Sequence, residues 1–264
     1  MNQSRRTRLL GPVLVMTTLV ASIISSLGAP LVPSIAADFG DSLSTAQWSL
    51  TVALLAGAVS APVMGRLGDG PRRRATMIGG LAVVTAGSVV AALAPTLAVL
   101  VVGRALQGVG LGLVPLAMAT ARDSLPESRV APMVALLSVS AAAGVGAGYP
   151  ISGAIADAAG LSGAFWFGAA VCAVALVSVA VVVPSTAGSA VPGRLDWTGA
   201  ALLAGALVTV LIAVAQGTEW GWSSPEILGL LVAGAVLGAG WVGQQLRAPA
   251  PLVQLRLLLS LIHI

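Results

Sequence analysis

The sequence predicts an all-α membrane protein, and its composition is the first reason. Of its 264 residues, 57% are hydrophobic and 8% are charged, and the mean hydropathy is +1.00. A soluble domain cannot bury so much apolar surface in one core, so most of it must face lipid. Aromatic residues make up only 4% of the chain. An apolar bulk of Ala, Val, Leu and Gly suits closely packed helices better than a β-barrel.

The second reason is a series of apolar runs, each about as long as the 20 residues that a spanning helix needs. Eight runs meet this length, and we number them spans one to eight: 11–34, 46–65, 75–94, 97–120, 130–152, 163–183, 197–217 and 226–246. Arginines precede the first run, as they do in a signal peptide. Its length and the further runs behind it instead predict a retained helix.

The arginines indicate which way the helices run. All 13 basic residues are arginines, and all but Arg104 lie at the amino terminus or in turns after even-numbered spans. Turns after odd-numbered spans contain acids such as Asp38, Asp157 and Glu219. The positive-inside rule therefore places residues 1–10 and the even-numbered turns in the cytoplasm. Orientation alone explains the net charge of +4, so we expect a lipid bilayer and no nucleic acid as a partner.

The turn between spans two and three, "GRLGDGPRRR" at residues 65–74, concentrates charge in a chain that has little. It resembles the Gly-x-Leu-x-Asp-x-x-Gly-Arg-Arg signature of the major facilitator superfamily, although Arg72 replaces the second glycine. In that family the turn is a latch that breaks and reforms during transport. The resemblance assigns this role to Gly65, Leu67, Asp69, Arg73 and Arg74. The alternative is a charged turn that only orients the chain.

Span four contains "VGRALQGVGLG" at residues 102–112, where Arg104 is the ionisable residue placed inside an apolar run. Burying it at the bilayer centre costs about 2.5 to 3.5 kcal/mol or more. Gln107 and Gly108 follow at i+3 and i+4, so all three share one helix face that can line an aqueous cavity. The run resembles the family's Arg-x-x-Gln-Gly signature, which implies proton coupling or recognition of substrate charge. The alternative is an arginine that snorkels to the outer interface.

Span five contains "GVGAGYPISG" at residues 144–153. Gly144 and Gly148 have the spacing of a small-residue packing face, and Pro150 with Gly153 favours a hinge. The segment resembles the antiporter element of the superfamily, but Tyr149 stands in place of a glycine. Helix packing without a hinge is the alternative.

Further segments extend the resemblance to the fourteen-span drug/proton antiporter branch: "RLDWTGA", "EWGWSSPEILG" and "PLVQLRL". The resemblance implies a six-helix amino-terminal bundle of a major facilitator fold at 11–183, a cytoplasmic linker at 184–196, and two linking transmembrane helices at 197–246. Residues 247–258 would begin the connection to a carboxy-terminal half. In this branch the first span often holds an aspartate, but this chain has "ASIISSLGAP" there. Which carboxylate carries a coupled proton is therefore open.

The end of the chain predicts a missing carboxy-terminal half. Transporters of this kind need two six-helix halves that rock about a midplane site. Residues 259–264, "LSLIHI", match the translation of a sequencing-adaptor end. We therefore expect an adaptor-derived tail, with His263 foreign to the natural protein. A genuine short protein is the alternative.

These features together predict the amino-terminal part of a proton-coupled exporter of small amphipathic molecules or drugs, working by alternating access in a bacterial inner membrane. A proton-coupled importer or metabolite exporter on the same fold is one alternative, and a non-transporting receptor or assembly protein is another. The chain has no lysine for an ATP-binding P-loop. It also has no His/Cys/acid cluster with metal spacing, so we expect no ATP, metal, cofactor or enzymatic activity.

Overall fold

The computed structural model describes residues 3–185 and 196–249, with side chains from residue 8 onward. Over those ranges the structure is all-helical, which confirms the predicted fold class. The α-helices there are α1 Gln3–Ser26, α2 Val32–Phe39, α3 Leu43–Leu67, α4 Arg73–Ala92, α5 Leu97–Gly108, α6 Leu113–Ser124, α7 Glu127–Val182, α8 Trp197–Trp220 and α9 Pro225–Arg247. Short 3₁₀ turns lie at Ala29–Leu31, Gly70–Arg72 and Val109–Gly112.

Side-chain caps fix several helix starts. Ser42 accepts a hydrogen bond from the Thr45 amide at 3.1 Å, and Ser224 accepts one from the Ile227 amide at 3.2 Å. Each bond satisfies an amide that the first turn of a helix leaves without a partner. The polar residue before each apolar run therefore sets where α3 and α9 begin.

Spans five and six lie in α7, where two helices meet at a kink, in agreement with the two runs that the sequence predicts. Together they contain 56 residues, more than twice the 20 or so that one crossing of a bilayer needs. The backbone leaves helical geometry within α7 only at Gly160, where φ is 72°. Glycine adopts this left-handed conformation without penalty, so the chain reverses there and crosses the membrane twice.

Spans one and four are interrupted, whereas the sequence predicts continuous helices at 11–34 and 97–120. Span one breaks after Ser26, at a turn that contains Gly28 and leads into a 3₁₀ turn. Span four changes from α to 3₁₀ geometry over Val109–Gly112. Hydropathy does not register such breaks, because the residues remain apolar on both sides.

The described residues fall into two compact units, 3–185 and 196–249. In the first unit, glycines bring the helices into contact. A Cβ at Gly103 in α5 would lie 2.7 Å from the Gly87 carbonyl oxygen in α4. Close backbone approach through small residues is the usual way that membrane helices associate.

The second unit is a hairpin of α8 and α9, and its open end is joined by Asp196. The Asp196 carboxylate accepts hydrogen bonds from the Gly199 amide at 2.8 Å, from Gln244 at 2.9 Å and from Gln245 at 2.8 Å. One carboxylate thus caps the start of α8 and holds the end of α9. At the other end of the hairpin, Gly221 turns the chain with a φ of 87°.

The Asp196 junction predicts a pH-dependent local stability. Burial raises the pKa of the Asp196 carboxyl, but the bonds from Gly199, Gln244 and Gln245 outweigh it and hold the pKa below its ordinary value. Because the pKa of Asp196 is lower in the folded state than in the unfolded state, its carboxylate stabilises the contact between α8 and α9 at any pH above the unfolded pKa. This stabilisation is lost as the pH falls through the lowered pKa of the folded state. We expect amide protection at the start of α8 to fall only in that acidic range.

Hydrogen exchange at residues 199–202 across pH measures this effect, and Asp196→Asn should remove the pH dependence. Asp157→Asn, at an exposed carboxylate, is the matched control. A pH profile unchanged by Asp196→Asn would contradict the assigned role.

Three predicted segments lie wholly or mostly outside the described residues. They are the linker at 184–196, the connection at 247–258 and the tail at 259–264. These assignments therefore stay predictions.

Candidate functional site

Arg104 is the largest fully buried side chain in the described part of the chain, with 0% of its surface exposed. Its Nε donates to the Ser49 carbonyl oxygen at 3.3 Å. Its Nη1 donates to the Ile24 carbonyl oxygen at 3.4 Å and to Gln107 Oε1 at 2.6 Å. The guanidinium therefore does not snorkel to the interface. It lies in the bundle interior, between spans one, two and four.

The break in span one explains part of how the charge is held. Ile24 lies in the last turn of α1, which ends at Ser26. The last carbonyls of a helix carry partial negative charge. Arg104 donates to the Ile24 carbonyl oxygen, which also accepts the Leu27 amide at 3.4 Å, so the end of α1 helps to stabilise the cation inside the bundle.

Gln107 connects Arg104 to span three. Its Nε2 donates to Ser88 Oγ at 2.8 Å, and the Ser88 hydroxyl donates to the Val84 carbonyl oxygen at 2.9 Å. Both Gln107 and Ser88 are buried. The helical spacing of Arg104 and Gln107 predicts their shared face, whereas Ser88 gives no signal in the sequence because its partner lies in another span.

Gly108, the third residue of the sequence signature, allows spans two and four to touch. A Cβ at this position would overlap the Ala53 carbonyl oxygen and would lie 2.9 Å from Ala56 Cβ. A cavity of about 10 Å³ lies beside the cluster, lined by Ile24, Ser25, Ala53, Leu54, Arg104, Gln107, Gly108 and Leu111. This volume is close to that needed for one water molecule.

Two polar atoms of the cluster have no hydrogen-bond partner among the described residues. They are Nη2 of Arg104 and Oγ of Ser49, both fully buried. Nη2 lies against Gly28, at the break in span one, so that a Cβ on that residue would overlap it. Buried polar groups usually have a hydrogen-bond partner, so these two atoms distinguish the cluster from the rest of the bundle interior.

The arginine turn at 65–74 is organised around Arg73, which is 6% exposed. Its Nη1 pairs with the Asp123 carboxylate and donates to the Ala119 carbonyl oxygen at 3.1 Å. Its Nε donates to the Gly68 carbonyl oxygen at 3.0 Å. Arg73 thereby ties the start of span three to the end of span four.

Asp123 is absent from the sequence predictions, yet it is the acid that holds Arg73. Sequence position alone could have suggested it, because the turns after spans two and four are expected on the same side of the membrane. Pairing across 50 residues depends on the fold, which a local motif does not encode.

The other residues of this turn take different partners. Asp69 is half-exposed and pairs with Arg66 at 3.2 Å, one turn away on the chain. Arg74 donates to the Ala180 carbonyl oxygen near the end of span six. Leu67 accepts a hydrogen bond from the Thr76 hydroxyl at 3.1 Å. A Cβ at Gly65 would meet nothing within 4 Å, so this glycine makes no close contact within the described residues.

The span-five segment packs on span one through two of its glycines. A Cβ at Gly144 would lie 2.7 Å from the Leu19 carbonyl oxygen, and one at Gly148 would overlap Ser26 Oγ. Tyr149 is 48% exposed. The backbone stays helical through Pro150 and Gly153. The predicted hinge is therefore not visible as a kink at these residues, and the kink in α7 lies at Gly160.

The described helices define a multi-span helical membrane protein with a buried polar cluster. Seven described helical segments, counting α7 once, are long and apolar enough to cross a bilayer. Two of them contain a short 3₁₀ stretch, at Ala29–Leu31 and Val109–Gly112. The chain belongs to the Major Facilitator Superfamily, whose sequence profile matches residues 14–246.

Two relatives show the breadth of this family. An uncharacterised MFS-type transporter of Mycobacterium tuberculosis is 31% identical over 246 residues, which cover 92% of this chain and 36% of the relative. The tetracenomycin C resistance and export protein of Streptomyces glaucescens is 30% identical over 243 residues, covering 92% of this chain and 45% of the relative. The chain thus spans less than half the length of these relatives.

Solved structures share the fold. A peptide transporter POT in complex with sulfate matches with a TM-score of 0.66 and 18% identity, over 94% of this chain and 57% of that chain. The human organic anion transporter MFSD10 matches with a TM-score of 0.60 and 18% identity, over 87% of this chain and 60% of that one. At this identity the likeness shows the architecture of the helices alone.

Proposed function

We propose that this chain forms the amino-terminal part of a proton-coupled secondary exporter of small amphipathic molecules. The exporter belongs to the fourteen-span drug/proton antiporter branch and works by alternating access. Its substrate passage lies between spans one, two, four and five of this bundle and a carboxy-terminal half. The proposal places the protein in a bacterial inner membrane with its amino terminus in the cytoplasm, and it requires neither ATP nor nucleic acid.

The observation that supports transport most strongly is the site of Arg104. A fully buried guanidinium on span four is costly in a protein that has no function inside the membrane. Interrupted helices at a polar site are a recurrent feature of transporters. A receptor or assembly protein has no need of such a cluster. The relatives named for export, such as the tetracenomycin C protein, support the outward direction.

Proton coupling is assigned to Arg104 with Gln107 and Gly108. Arg104 and Gln107 form the inner end of a polar chain that reaches Ser88 in span three. Gly108 holds span two against this chain. A change in protonation or substrate charge near Arg104 therefore acts on three spans at once.

The latch is assigned to Gly65, Leu67, Asp69, Arg73 and Arg74. Its core is the pairing of Arg73 with Asp123 and the bond of Arg74 to the end of span six. These bonds link the cytoplasmic ends of spans three, four and six, so breaking them loosens one side of the bundle. The half-exposed Asp69 remains available to a partner outside this bundle.

Asp123→Asn is expected to slow turnover about tenfold or more while changing the KM little. Removing the carboxylate leaves the buried Arg73 cation without its counter-charge, and a tenfold change in rate corresponds to about 1.4 kcal/mol. Initial rates of dye export at several dye concentrations separate kcat from KM. Glu127→Gln, at an exposed acid nearby, is the control. A raised KM with an unchanged kcat would refute the latch.

A second candidate is a proton-coupled importer or metabolite exporter on the same fold. The observation that favours it is Tyr149, which occupies a glycine position of the antiporter element and exposes about half of its surface. We assign the hinge and antiporter element to Gly144, Gly148, Tyr149, Pro150 and Gly153. If the antiporter interpretation is right, Tyr149→Gly should raise the rate of export and leave the rate of uptake unchanged.

The test of function uses the complete reading frame at the genomic locus that contains this sequence. Cells that express it are loaded with a fluorescent dye, and efflux is followed with and without a protonophore. Protonophore-sensitive efflux above the empty-vector rate is the expected result. Efflux that persists after the proton gradient collapses, or uptake in place of efflux, contradicts the proposal.

A further inference from the structure

Spans one and five contact each other along two matching series of small residues. Each series repeats every fourth residue, and all of its members are buried. The series are Thr18, Ser22 and Ser26 on span one, and Ser140, Gly144, Gly148 and Ser152 on span five. Residues four apart lie on one face of a helix, so each span offers the other one small residue per turn.

The two series meet in a definite register. A Cβ at Gly144 would lie 2.8 Å from Ser22 Cβ, and one at Gly148 would overlap Ser26 Oγ. If span five moves by four residues toward its amino end, Gly148 comes to the level of Ser22 and Ser152 to that of Ser26. Small residues then oppose small residues again. The interface therefore has a second register one helical turn, or about 6 Å, from the observed one.

Residue size favours this direction over the opposite one. Four residues after Ser152 the chain has Ala156, and four residues before Ser140 it has Leu136. A shift toward the carboxyl end would bring that leucine to the level of Thr18, where its bulk would have to be accommodated. A shift toward the amino end brings in only the alanine.

Three hydroxyls of these series bond within their own spans. Ser26 donates to the Ser22 carbonyl oxygen at 3.2 Å. Ser140 and Ser152 donate to carbonyl oxygens of span five, both at 2.7 Å. Spans three and four differ, because Gln107 of span four donates to a serine of span three at 2.8 Å. The three hydroxyl bonds of spans one and five therefore persist when one span moves along the other.

The ends of span five can absorb a movement of this size. Residues 126–129 and 157–160 are exposed at its two ends. Unwinding one four-residue turn lengthens the chain by about 7 Å, which exceeds a shift of about 6 Å. Gly160 closes the outer of these turns, and a glycine changes its backbone angles without a side-chain penalty.

We infer that span five shifts along span one by one helical turn during transport, between the observed register and a second one that places Ser152 against Ser26. The inference rests on the proposed alternating access, and it gives the antiporter element of span five a sliding contact. Shifts of one turn between packed elements are an established form of conformational switching. Close-packed interfaces favour such discrete registers over intermediate positions.

Disulfide cross-linking in the protein of the complete reading frame distinguishes the two registers. Cys172 is replaced by alanine, and Ser26→Cys is combined with Ser152→Cys. Cysteines are bridged only when their Cα atoms lie within about 7 Å. Ser152 is one turn beyond Gly148, the present neighbour of Ser26, so this pair needs the second register. We expect cross-linking during turnover, with dye and a proton gradient, to be at least about tenfold faster than in resting membranes, because turnover populates that register.

Ser26→Cys with Ser140→Cys is the matched control, since it makes the same kind of substitution on span five. Ser140 lies eight residues, or about 12 Å, before Gly148 along the helix, so this pair should not cross-link in either condition. Absence of the first cross-link during turnover overturns the inference. Equal cross-linking of the control pair also overturns it.

Spin labels provide a second measurement that leaves the interface between the spans unchanged. Leu9→Cys and Val145→Cys place labels at exposed positions on spans one and five. Val83→Cys and Val102→Cys do the same on spans three and four. Turnover should shorten the first distance by about 5 Å, close to one turn, and leave the second unchanged. A constant first distance, or an equal change in both, contradicts the shift.

Export of dye by the same proteins separates this inference from the proposed function. Protonophore-sensitive export without the Ser26/Ser152 cross-link and without the change in spin-label distance leaves the function standing while the shift fails. Absence of protonophore-sensitive export in the parent protein instead refutes the function on which the shift rests.

Discussion

Arg104→Met is expected to reduce gradient-driven export at least about 100-fold while the protein still inserts in the membrane. Methionine fills a similar volume but donates no hydrogen bond. Gln107 Oε1 and the Ser49 carbonyl would then lose their donor in the bundle interior. Each buried acceptor left without its donor costs about 1 to 3 kcal/mol, and each 1.4 kcal/mol is tenfold in rate.

The measurement is initial efflux rate per inserted molecule, with insertion quantified by surface labelling of membranes. Arg129→Met is the control, because Arg129 is exposed at the start of α7. Normal efflux in Arg104→Met would remove the physical basis of the transport proposal. Equal loss in Arg129→Met would show that the effect is not specific to the buried site.

Gly108→Ala is expected to have the second-largest effect, on stability. The added Cβ would overlap the Ala53 carbonyl oxygen, and two backbones cannot give way as a flexible side chain can. Overpacking of this kind costs about 1 to 3 kcal/mol, and more where relaxation is blocked. We expect a lower midpoint of thermal unfolding in detergent and weaker export.

Gly79→Ala provides a matched comparison for this prediction, since a Cβ at Gly79 would meet nothing within 4 Å. Both changes replace a helical glycine in a span, so the intrinsic gain in helix propensity is the same. A Gly108→Ala protein as stable as Gly79→Ala would show that spans two and four are not in contact at this point.

Much of this fold is readable from the sequence, because hydropathy decides which segments enter the bilayer. The apolar runs predict the positions of the spanning helices, and the i, i+3 spacing predicts that Arg104 and Gln107 interact. The helix breaks after Ser26 and at Val109–Gly112 are different. They change hydrogen bonding without changing hydropathy, so no periodicity indicates them.

The partners of the candidate site are likewise hidden from the sequence. Ser49 and Ile24 hold Arg104 through backbone carbonyls, which every residue has. Asp123 pairs with Arg73 across two spans, and nothing in the residues near either side chain indicates the contact. Local motifs identify the charged groups, and the tertiary fold decides what compensates them.

Water access to the Arg104 cavity is the central claim, and cysteine labelling tests it most directly. The native Cys172 is buried and is replaced by alanine. Ser25→Cys, on the cavity wall, is then compared with Val177→Cys, which is 59% exposed on span six outside the proposed passage. The cavity of about 10 Å³ is too small for a methanethiosulfonate, so a membrane-impermeant reagent of this kind should label position 25 only when alternating access opens the passage. It should not label position 177, and transported dye should slow the labelling. Protection of position 25 under all conditions, or equal labelling of both positions, would contradict the account.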